Sequence, residues 1–305
     1  MKNKVLRKVL LCILAAVLCL PLLERVTRVS AADPAAQIKI GVLAKRGDRI
    51  CLEKWSPMAR YLSAVLPEYS FSIVPLDFKE IVPAVEQQEI DFVLANSAIY
   101  TGLEILYGVS RIATMKNLLH GQGVTEFGGT VFYKAGRNDI NTLKDLSGKS
   151  FMGVDRTSFG GWLMALREFK LQNINPDKDF SELLFGDTHD NVVYAVLSGK
   201  VDAGTVRTDT LERMAAENKI SLNDFKVIPF TRHVDPELTE AIIHESQYRK
   251  FPYLLSTHLY PEWPLAKLRG TADEVSRQIA IALYTLPADS EAAQAAQISG
   301  WTIPL

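Results

Sequence analysis

The chain alternates short apolar runs with segments in which apolar residues recur at helical spacing. Apolar runs at 38–43, 71–76 and 90–95 predict strands, and the stretches after them predict helices at 55–66, 78–88 and 101–107. The same alternation returns after residue 150 with predicted strands at 150–154, 183–185, 201–206 and 225–230, and a last strand and helix follow at 253–259 and 273–286. The pattern predicts an α/β fold built on a mainly parallel sheet with right-handed crossovers.

Strand-to-helix junctions are the first candidate sites, because ligands of such sheets bind at the carboxyl ends of the strands. At one junction, Thr157, Ser158 and Gly160 lie between a strand and a helix that begins near Trp162. Unpaired backbone N–H groups, two hydroxyls and residues without Cβ could hold an anion there. The alternative is an ordinary Ser/Thr helix cap with glycines that supply the bend.

Four further residues lie at comparable junctions. Ser97 and Tyr100 follow the strand at 90–95, although an aromatic here is also a common core residue. His189 lies in a polar turn before a helix, where it could donate a hydrogen bond to an anion or simply belong to a helix cap. Arg207 could clasp an oxyanion with two hydrogen bonds, or could pair with Asp209 or Glu212.

Composition and motifs exclude several classes of function. The 34 Lys and Arg residues nearly balance the 35 Asp and Glu residues, so no nucleic-acid partner is expected. The chain contains no G-x-S-x-G, H-E-x-x-H, Walker or G-x-G-x-x-G motif, and its five histidines lack metal-ligand spacing. We therefore expect a protein that is not an enzyme and that has no cofactor and no metal.

The first 31 residues predict an export signal. Lys2, Lys4, Arg7 and Lys8 precede an apolar run over residues 9–23, and small residues at 29–31 suit cleavage. An uncleaved signal that anchors the chain is the alternative. Either way, the rest of the chain is expected in the periplasm. Cys51 is the only cysteine beyond the signal, so no internal disulfide is expected.

Long stretches of the exported part resemble a known family. The segments 91–100, 157–161, 189–190 and 201–209 resemble the phosphate-, phosphite- and phosphonate-binding periplasmic proteins of ABC importers. Within that superfamily, the segments 46–55, 159–165, 260–264 and 300–305 look closest to the periplasmic sensor region of tetrathionate-type sensor histidine kinases.

The resemblance implies a type II periplasmic-binding-protein fold, in which two α/β lobes close on a ligand at the hinge. We expect residues 37–120 plus 232–305 to form lobe 1 and residues 121–231 to form lobe 2. The family pattern matches Ser97 and Tyr100 in the first lobe and Thr157, Ser158, Gly160 and His189 in the second. Phe159 replaces a family hydroxyl and Arg207 replaces a neutral side chain, which favours a more anionic ligand such as a sulfur oxyanion.

The partners implied are a small oxyanion and either a histidine kinase or an ABC permease in the inner membrane. The sensors continue into a membrane helix and a kinase beyond the segment that matches residues 300–305, so the chain is expected to be a sensor region or a free binding component. An exported enzyme related to the thiamine-precursor synthases is a third reading. It would need Cys51 or His189 as a reactive residue, and neither has an activating base nearby in sequence.

Overall fold

The computed structural model describes residues 35–230 and 251–305. The predicted export signal and residues 232–250 of the predicted lobe 1 lie outside the described residues. The described residues from Gln37 onward belong to one compact unit. No helix in the two described ranges has the length and apolarity needed to cross a membrane.

The first half of the chain builds one sheet and its flanking helices. Its elements are β1 (Ala36–Leu43), α1 (Asp48–Val65), β2 (Tyr69–Leu76), α2 (Ile81–Glu86), β3 (Phe92–Leu94), α3 (Ser97–Tyr107), β4 (Ser110–Leu119) and β5 (Gln122–Val124). The last elements of the chain, β13 (Pro264–Lys267), α8 (Asp273–Tyr284), α9 (Glu291–Ala296) and β14 (Ile298–Thr302), return to the same sheet. Its strand order is β14-β4-β13-β3-β1-β2, with β5 paired to β4.

The middle of the chain builds a second sheet and its helices. Its elements are β7 (Gly129–Lys134), β8 (Ser150–Gly153), α4 (Met164–Leu171), α5 (Pro176–Asp179), β9 (Glu182–Phe185), α6 (His189–Leu197), β10 (Ala203–Arg207), α7 (Thr210–Ala216) and β11 (Phe225–Val227). The strand order of this sheet is β11-β7-β10-β8-β9. Short 3₁₀ turns lie at Leu143–Leu146 and Leu222–Asp224, and a π-helical turn at Phe159–Leu163 leads into α4. The small strands β6 (Glu126–Phe127) and β12 (Tyr260–Pro261) pair with each other.

The strand pairings combine parallel and antiparallel neighbours, so the two sheets are mixed and the prediction of a mainly parallel sheet is wrong. In the first sheet β1 runs parallel to β3, while β13 is antiparallel to both β3 and β4. In the second sheet β8 is parallel to β9 and β10, and β7 is antiparallel to β10 and β11. The carboxyl ends of β3, β8, β9 and β10 lead into the polar junctions that the sequence singled out.

Local sequence explains where the helices that carry these junctions begin. The side chain of Asn96 accepts hydrogen bonds from the N–H groups of Ala98 and Ile99 and so caps α3. Gly108 ends α3 in a left-handed conformation with φ of 67°. The helix α1 buries Cys51, Trp55, Met58 and Leu62, whose spacing places them on one face.

The predicted strand at 253–259 is wrong. Residues 251–259 have no strand, and side chains supply part of the hydrogen bonding to β7 instead. The hydroxyl of Ser256 accepts from the N–H of Val131, and the hydroxyl of Thr257 accepts from the N–H of Gly129. Because these hydroxyls take the place of backbone carbonyls, the segment lies against β7 without forming a ladder.

Candidate functional site

The hydroxyl-rich junction after β8 divides into an exposed and a buried part. Thr157 is exposed, and both its N–H and its hydroxyl donate to Oδ1 of Asp155, at 2.7 and 2.6 Å. Ser158 is buried, and Gly160 follows it in the π-helical turn. A Cβ at Gly160 would lie 2.6 Å from Cβ of Arg207, so only glycine lets this turn approach β10 so closely.

Arg207 is buried and its charge is compensated within the protein. Its Nη2 lies 2.6 Å from Oε1 of Glu262, its Nε lies 3.2 Å from Oδ1 of Asp209, and the guanidinium lies over the ring of Phe127. Burial alone would lower the pKa of Arg207, but the two carboxylates raise it. Asp209 is one of the two partners that the sequence offered, whereas Glu262 comes from the connection between β12 and β13.

His189 begins α6 and is also buried. Its backbone N–H donates to the carbonyl of Lys45 at 3.1 Å, and its Nδ1 accepts from the N–H of Arg207 at 3.3 Å. Burial, followed by the positive charges of Lys45 and Arg207, lowers the pKa of the imidazole well below its usual value. The ring is therefore neutral and can act as a hydrogen-bond donor only through Nε2.

Ser97 and Tyr100 line a different cavity, of about 240 Å³, together with Arg111, Phe159 and Tyr260. The hydroxyl of Ser97 donates to the carbonyl of Pro261. The hydroxyl of Tyr100 donates to Glu104, and burial raises its pKa to about 12. The structure thus brings Ser158, Gly160, His189 and Arg207 together, and it places Ser97, Tyr100 and Thr157 outside that group.

A pocket of about 190 Å³ lies next to this group, between the turn that follows β1 and the elements around α7. Apolar side chains cover part of its wall, including those of Trp55, Met115 and Trp263. Its charged lining residues are Lys45, Arg46, Glu53, Lys54, Arg207, Asp209, Arg213 and Glu217. The pocket is therefore lined by five residues that can carry a positive charge and three that can carry a negative charge.

Most of these charges are paired. Arg46 donates to Asp190 at 2.5 and 2.9 Å and to Glu217 at 2.7 and 2.8 Å. Nε of Arg213 and Nδ2 of Asn117 both lie 2.9 Å from Oδ2 of Asp209. The contact of Asn117 joins β4 of the first sheet to the end of β10 in the second, and the contacts of Arg46 join the β1–α1 turn to α6 and α7.

Lys45 and Lys54 are the exceptions. Within residues 35–230 and 251–305, neither ammonium group has a carboxylate at ion-pair distance. Instead, Nζ of Lys45 lies 5.5 Å from the ring centroid of Trp263, and Nζ of Lys54 lies 5.5 Å from that of Trp55. Burial, followed by the charge of Arg213, lowers the pKa of Lys54 to about 7, and burial with Arg207 lowers that of Lys45 well below its usual value.

Sequence reasoning did not select these two lysines. Lys45 belongs to a polar turn, and Lys54 lies on the helix that follows it, so each has the position of an ordinary surface lysine. The sequence nevertheless contained a signal for Lys54, because Lys54 and its neighbour Trp55 both lie on the apolar face of α1. Within the described ranges, no group of three or more His, Cys, Asp or Glu side chains could hold a metal ion.

Solved structures confirm the predicted fold. The chain superposes on a binding protein component of a phosphonate ABC transporter from Pseudomonas aeruginosa with a TM-score of 0.72 and 16% identity, covering 89% of this chain and 82% of that one. It superposes on PhnD1 of Prochlorococcus marinus in complex with methylphosphonate with a TM-score of 0.67 and 13% identity, covering 88% and 92%. The fold is that of the type II periplasmic binding proteins.

A curated relative extends the comparison to signalling proteins. The tetrathionate sensor histidine kinase TtrS of Salmonella typhimurium is 30% identical over 249 residues. The match covers 82% of this chain and 39% of the relative, so the chain spans well under half the length of that kinase. Residues 40–304 match the family described as the periplasmic phosphonate substrate-binding protein of ABC transporters, and the chain belongs to this family.

Proposed function

We propose that this periplasmic solute-binding domain captures a small oxyanion in the 190 Å³ pocket beside Lys45 and Lys54. The observation that carries the proposal is the pair of ammonium groups with no carboxylate partner among the described residues. A half-buried cation without a counter-ion costs free energy, and an anion that enters the pocket removes that cost. Arg213, whose guanidinium already pairs with Asp209, adds to the positive electrostatic potential of the pocket.

The ligand favoured is a sulfur oxyanion with two negative charges, such as tetrathionate. Two unpaired ammonium groups match two negative charges, and each group lies over a different tryptophan, Lys45 over Trp263 and Lys54 over Trp55. Trp55, Trp263 and Met115 offer polarizable surface to the middle of an elongated ligand. The name of the Salmonella relative supports the same class of ligand.

Lobe closure is the proposed response to the ligand. Lys45 and Lys54 are carried by the β1–α1 region, whereas Arg213 and Glu217 are carried by α7 and the residue after it. A ligand that contacts both groups binds the closed arrangement more tightly than an open one, and it shifts the equilibrium by that difference in affinity. The lobe boundaries at residues 120 and 231 are part of this proposal.

Signalling to a histidine kinase in the inner membrane is the proposed output, with delivery to an ABC permease as the alternative. The relationship to the sensor kinase favours signalling, whereas the family description favours import. The two roles differ in ligand class, because the importer reading expects phosphonate or phosphite. Ser97, Tyr100 and Thr157 stay predicted ligand contacts in either role, since lobe movement would change their surroundings.

A thermal-shift screen tests the ligand class. The panel contains tetrathionate, thiosulfate, sulfite, phosphite, phosphate, methylphosphonate and aminoethylphosphonate. A ligand that binds only the native state adds about 2.7 kcal/mol of stability at a hundredfold excess over Kd. We expect the largest shift with a sulfur dianion, and we expect that shift to be reduced in Lys54→Met. A shift with phosphorus compounds alone supports the importer alternative, and no shift with any anion refutes the proposal.

A further inference from the structure

The outer face of α3 carries the two most exposed large aliphatic side chains of the part of the chain that the structure describes. Ile105 is 76% exposed and Leu106 is 71% exposed, and both lie in the last turn of the helix. The residues that α3 buries are Ile99, Tyr100 and Leu103, so Ile105 and Leu106 do not belong to the core. Single exposed aliphatic residues are common on soluble proteins, whereas adjacent ones beside an apolar cavity mark an interaction site.

The cavity of about 240 Å³ described above adjoins these two side chains. Ala98 and Thr101 of α3 line this cavity, and Ile105 follows Thr101 by one turn on the same stripe of the helix. Pro261 and Leu305 add apolar wall. An apolar cavity of about 150 Å³ already holds a benzene molecule, so this one has room for an aliphatic side chain. One face of the protein thus carries both an apolar projection and a cavity that such a projection can enter.

Charges of opposite sign lie on the same face. Glu104 and Arg111 are both exposed, and both lie next to the ring of Tyr100. The hydroxyl of Tyr100 donates to Oε1 of Glu104 at 2.5 Å, and the guanidinium of Arg111 lies 5.6 Å from the ring centroid. Arg111 also donates to the carbonyl of Leu305. Neither Glu104 nor Arg111 has an oppositely charged side chain at ion-pair distance within residues 35–230 and 251–305.

Such a face complements a rotated copy of itself. In a two-fold symmetric dimer each contact occurs twice, because a residue of one copy meets its counterpart's neighbour on the other and the reverse. The projection can then enter the cavity of the second copy, and the carboxylate can meet the guanidinium of the second copy. An anionic lipid surface fits less well, because it attracts basic residues around an apolar face, and here Glu104 directly precedes Ile105.

We propose that the chain forms a two-fold symmetric homodimer through the outer face of α3 and the adjoining cavity of about 240 Å³. Ile105 of one copy enters the cavity of the other, and Glu104 of each copy pairs with Arg111 of the other. None of these three residues lines the pocket of Lys45 and Lys54, so the inference stands whether or not that pocket binds an oxyanion.

Sedimentation of the chain recovered from the periplasm measures this association. We expect a shift from monomer to dimer below about 0.1 mM, and no larger species, because a two-fold interface closes on itself. Ile105→Asp places a charge in the apolar cavity and should weaken the dimer by about tenfold or more. Leu171→Asp makes the same kind of change at the exposed end of α4, in the second sheet's part of the chain, and should leave the dimer unchanged.

Charge reversal tests the pairing across the interface. Glu104→Arg and Arg111→Glu should each weaken the dimer by about tenfold, because like charges then meet. The double variant has opposite charges again and should recover most of the lost affinity, a result that damage to the fold by either substitution would not give. The midpoint of thermal unfolding of each variant shows whether its monomer is folded.

Three results would overturn the proposal. The first is a chain that stays monomeric up to about 0.1 mM, and the second is a dimer that tolerates both Ile105→Asp and the single charge reversals. The third is a monomeric chain that sediments with vesicles of phosphatidylethanolamine and phosphatidylglycerol and loses this binding in Ile105→Asp, because the face would then belong to a membrane contact. A folded double variant that associates no more tightly than the single variants would refute the pairing of Glu104 with Arg111.

Discussion

Replacement of Lys54 by methionine should stabilise the ligand-free protein, although it should also weaken anion binding by about tenfold or more. The ammonium group of Lys54 lies half-buried in the 190 Å³ pocket without a carboxylate at ion-pair distance among the described residues. Methionine keeps the long unbranched side chain that packs beside Trp55, and it removes the charge. The variant thus separates the cost of an unpaired charge from the packing of the helix.

The magnitude follows from the pKa of Lys54, which burial and Arg213 lower from 10.5 to about 7. A difference of one in pKa corresponds to about 1.4 kcal/mol, so the upper limit is about 5 kcal/mol. The side chain keeps some contact with water, and solvent screening reduces this figure. We expect Lys54→Met to raise the free energy of unfolding by about 1 to 3 kcal/mol at pH 6.

The pH dependence gives the effect a distinctive sign. Below pH 7 the lysine is charged in both the native and the unfolded state, so the native state bears the full cost. Between pH 7 and 10.5 the unfolded state binds more protons than the native state, and the stability of the unmodified protein therefore rises with pH. The gain from Lys54→Met should accordingly shrink by about half between pH 6 and pH 9.

Urea unfolding of both proteins at pH 6 and pH 9, without added anions that could bind, measures this gain. Lys200→Met, at an exposed position between α6 and β10, is the matched control and should change stability by less than about 0.5 kcal/mol. A Lys54→Met protein that is less stable than the unmodified chain at pH 6, or whose gain grows with pH, would show that Lys54 is not an unpaired charge.

Two further predictions concern the walls of the site. Arg46→Gln removes a guanidinium that is hydrogen-bonded to two carboxylates, so it should lower the free energy of unfolding in urea by about 2 to 4 kcal/mol. Arg60→Gln, at an exposed ion pair, should lower it by less than about 1 kcal/mol, and equal losses in the two variants would argue against the buried network. Gly160→Ala places a Cβ 2.6 Å from Cβ of Arg207 and should lower the midpoint of thermal unfolding, whereas Gly102→Ala has open space on α3 and should raise it. An unchanged midpoint in Gly160→Ala would contradict the close approach of this turn to β10.

The α/β fold and most strands could be predicted from sequence because strand and helix periodicity is a local property. The segment 253–259 shows the limit, since Ser256 and Thr257 satisfy backbone groups of β7 with their hydroxyls. An apolar pattern predicts burial there, but it does not distinguish a ladder of backbone hydrogen bonds from contacts made by side chains.

The site was harder to predict because it depends on which charges meet across the fold. Arg207 and Glu262 are 55 residues apart, and nothing local in sequence predicts that they pair. The pairing decides the roles of other residues. With Arg207 compensated, Lys45 and Lys54 are the pocket cations that lack a carboxylate partner in the part of the chain that the structure describes. Their sequence contexts, a polar turn and a helix, are those of surface lysines.

The central claim is that the pocket beside Lys45 and Lys54 binds an oxyanion, and calorimetric titration with tetrathionate at pH 6.5 tests it most directly. We expect one saturable binding event per chain, weaker at high salt, reduced by about tenfold or more in Lys54→Met and absent in the Lys45→Met, Lys54→Met double variant. Tetrathionate binding that is equally tight in the folded double variant, or no binding of any oxyanion to the unmodified chain, would contradict the claim.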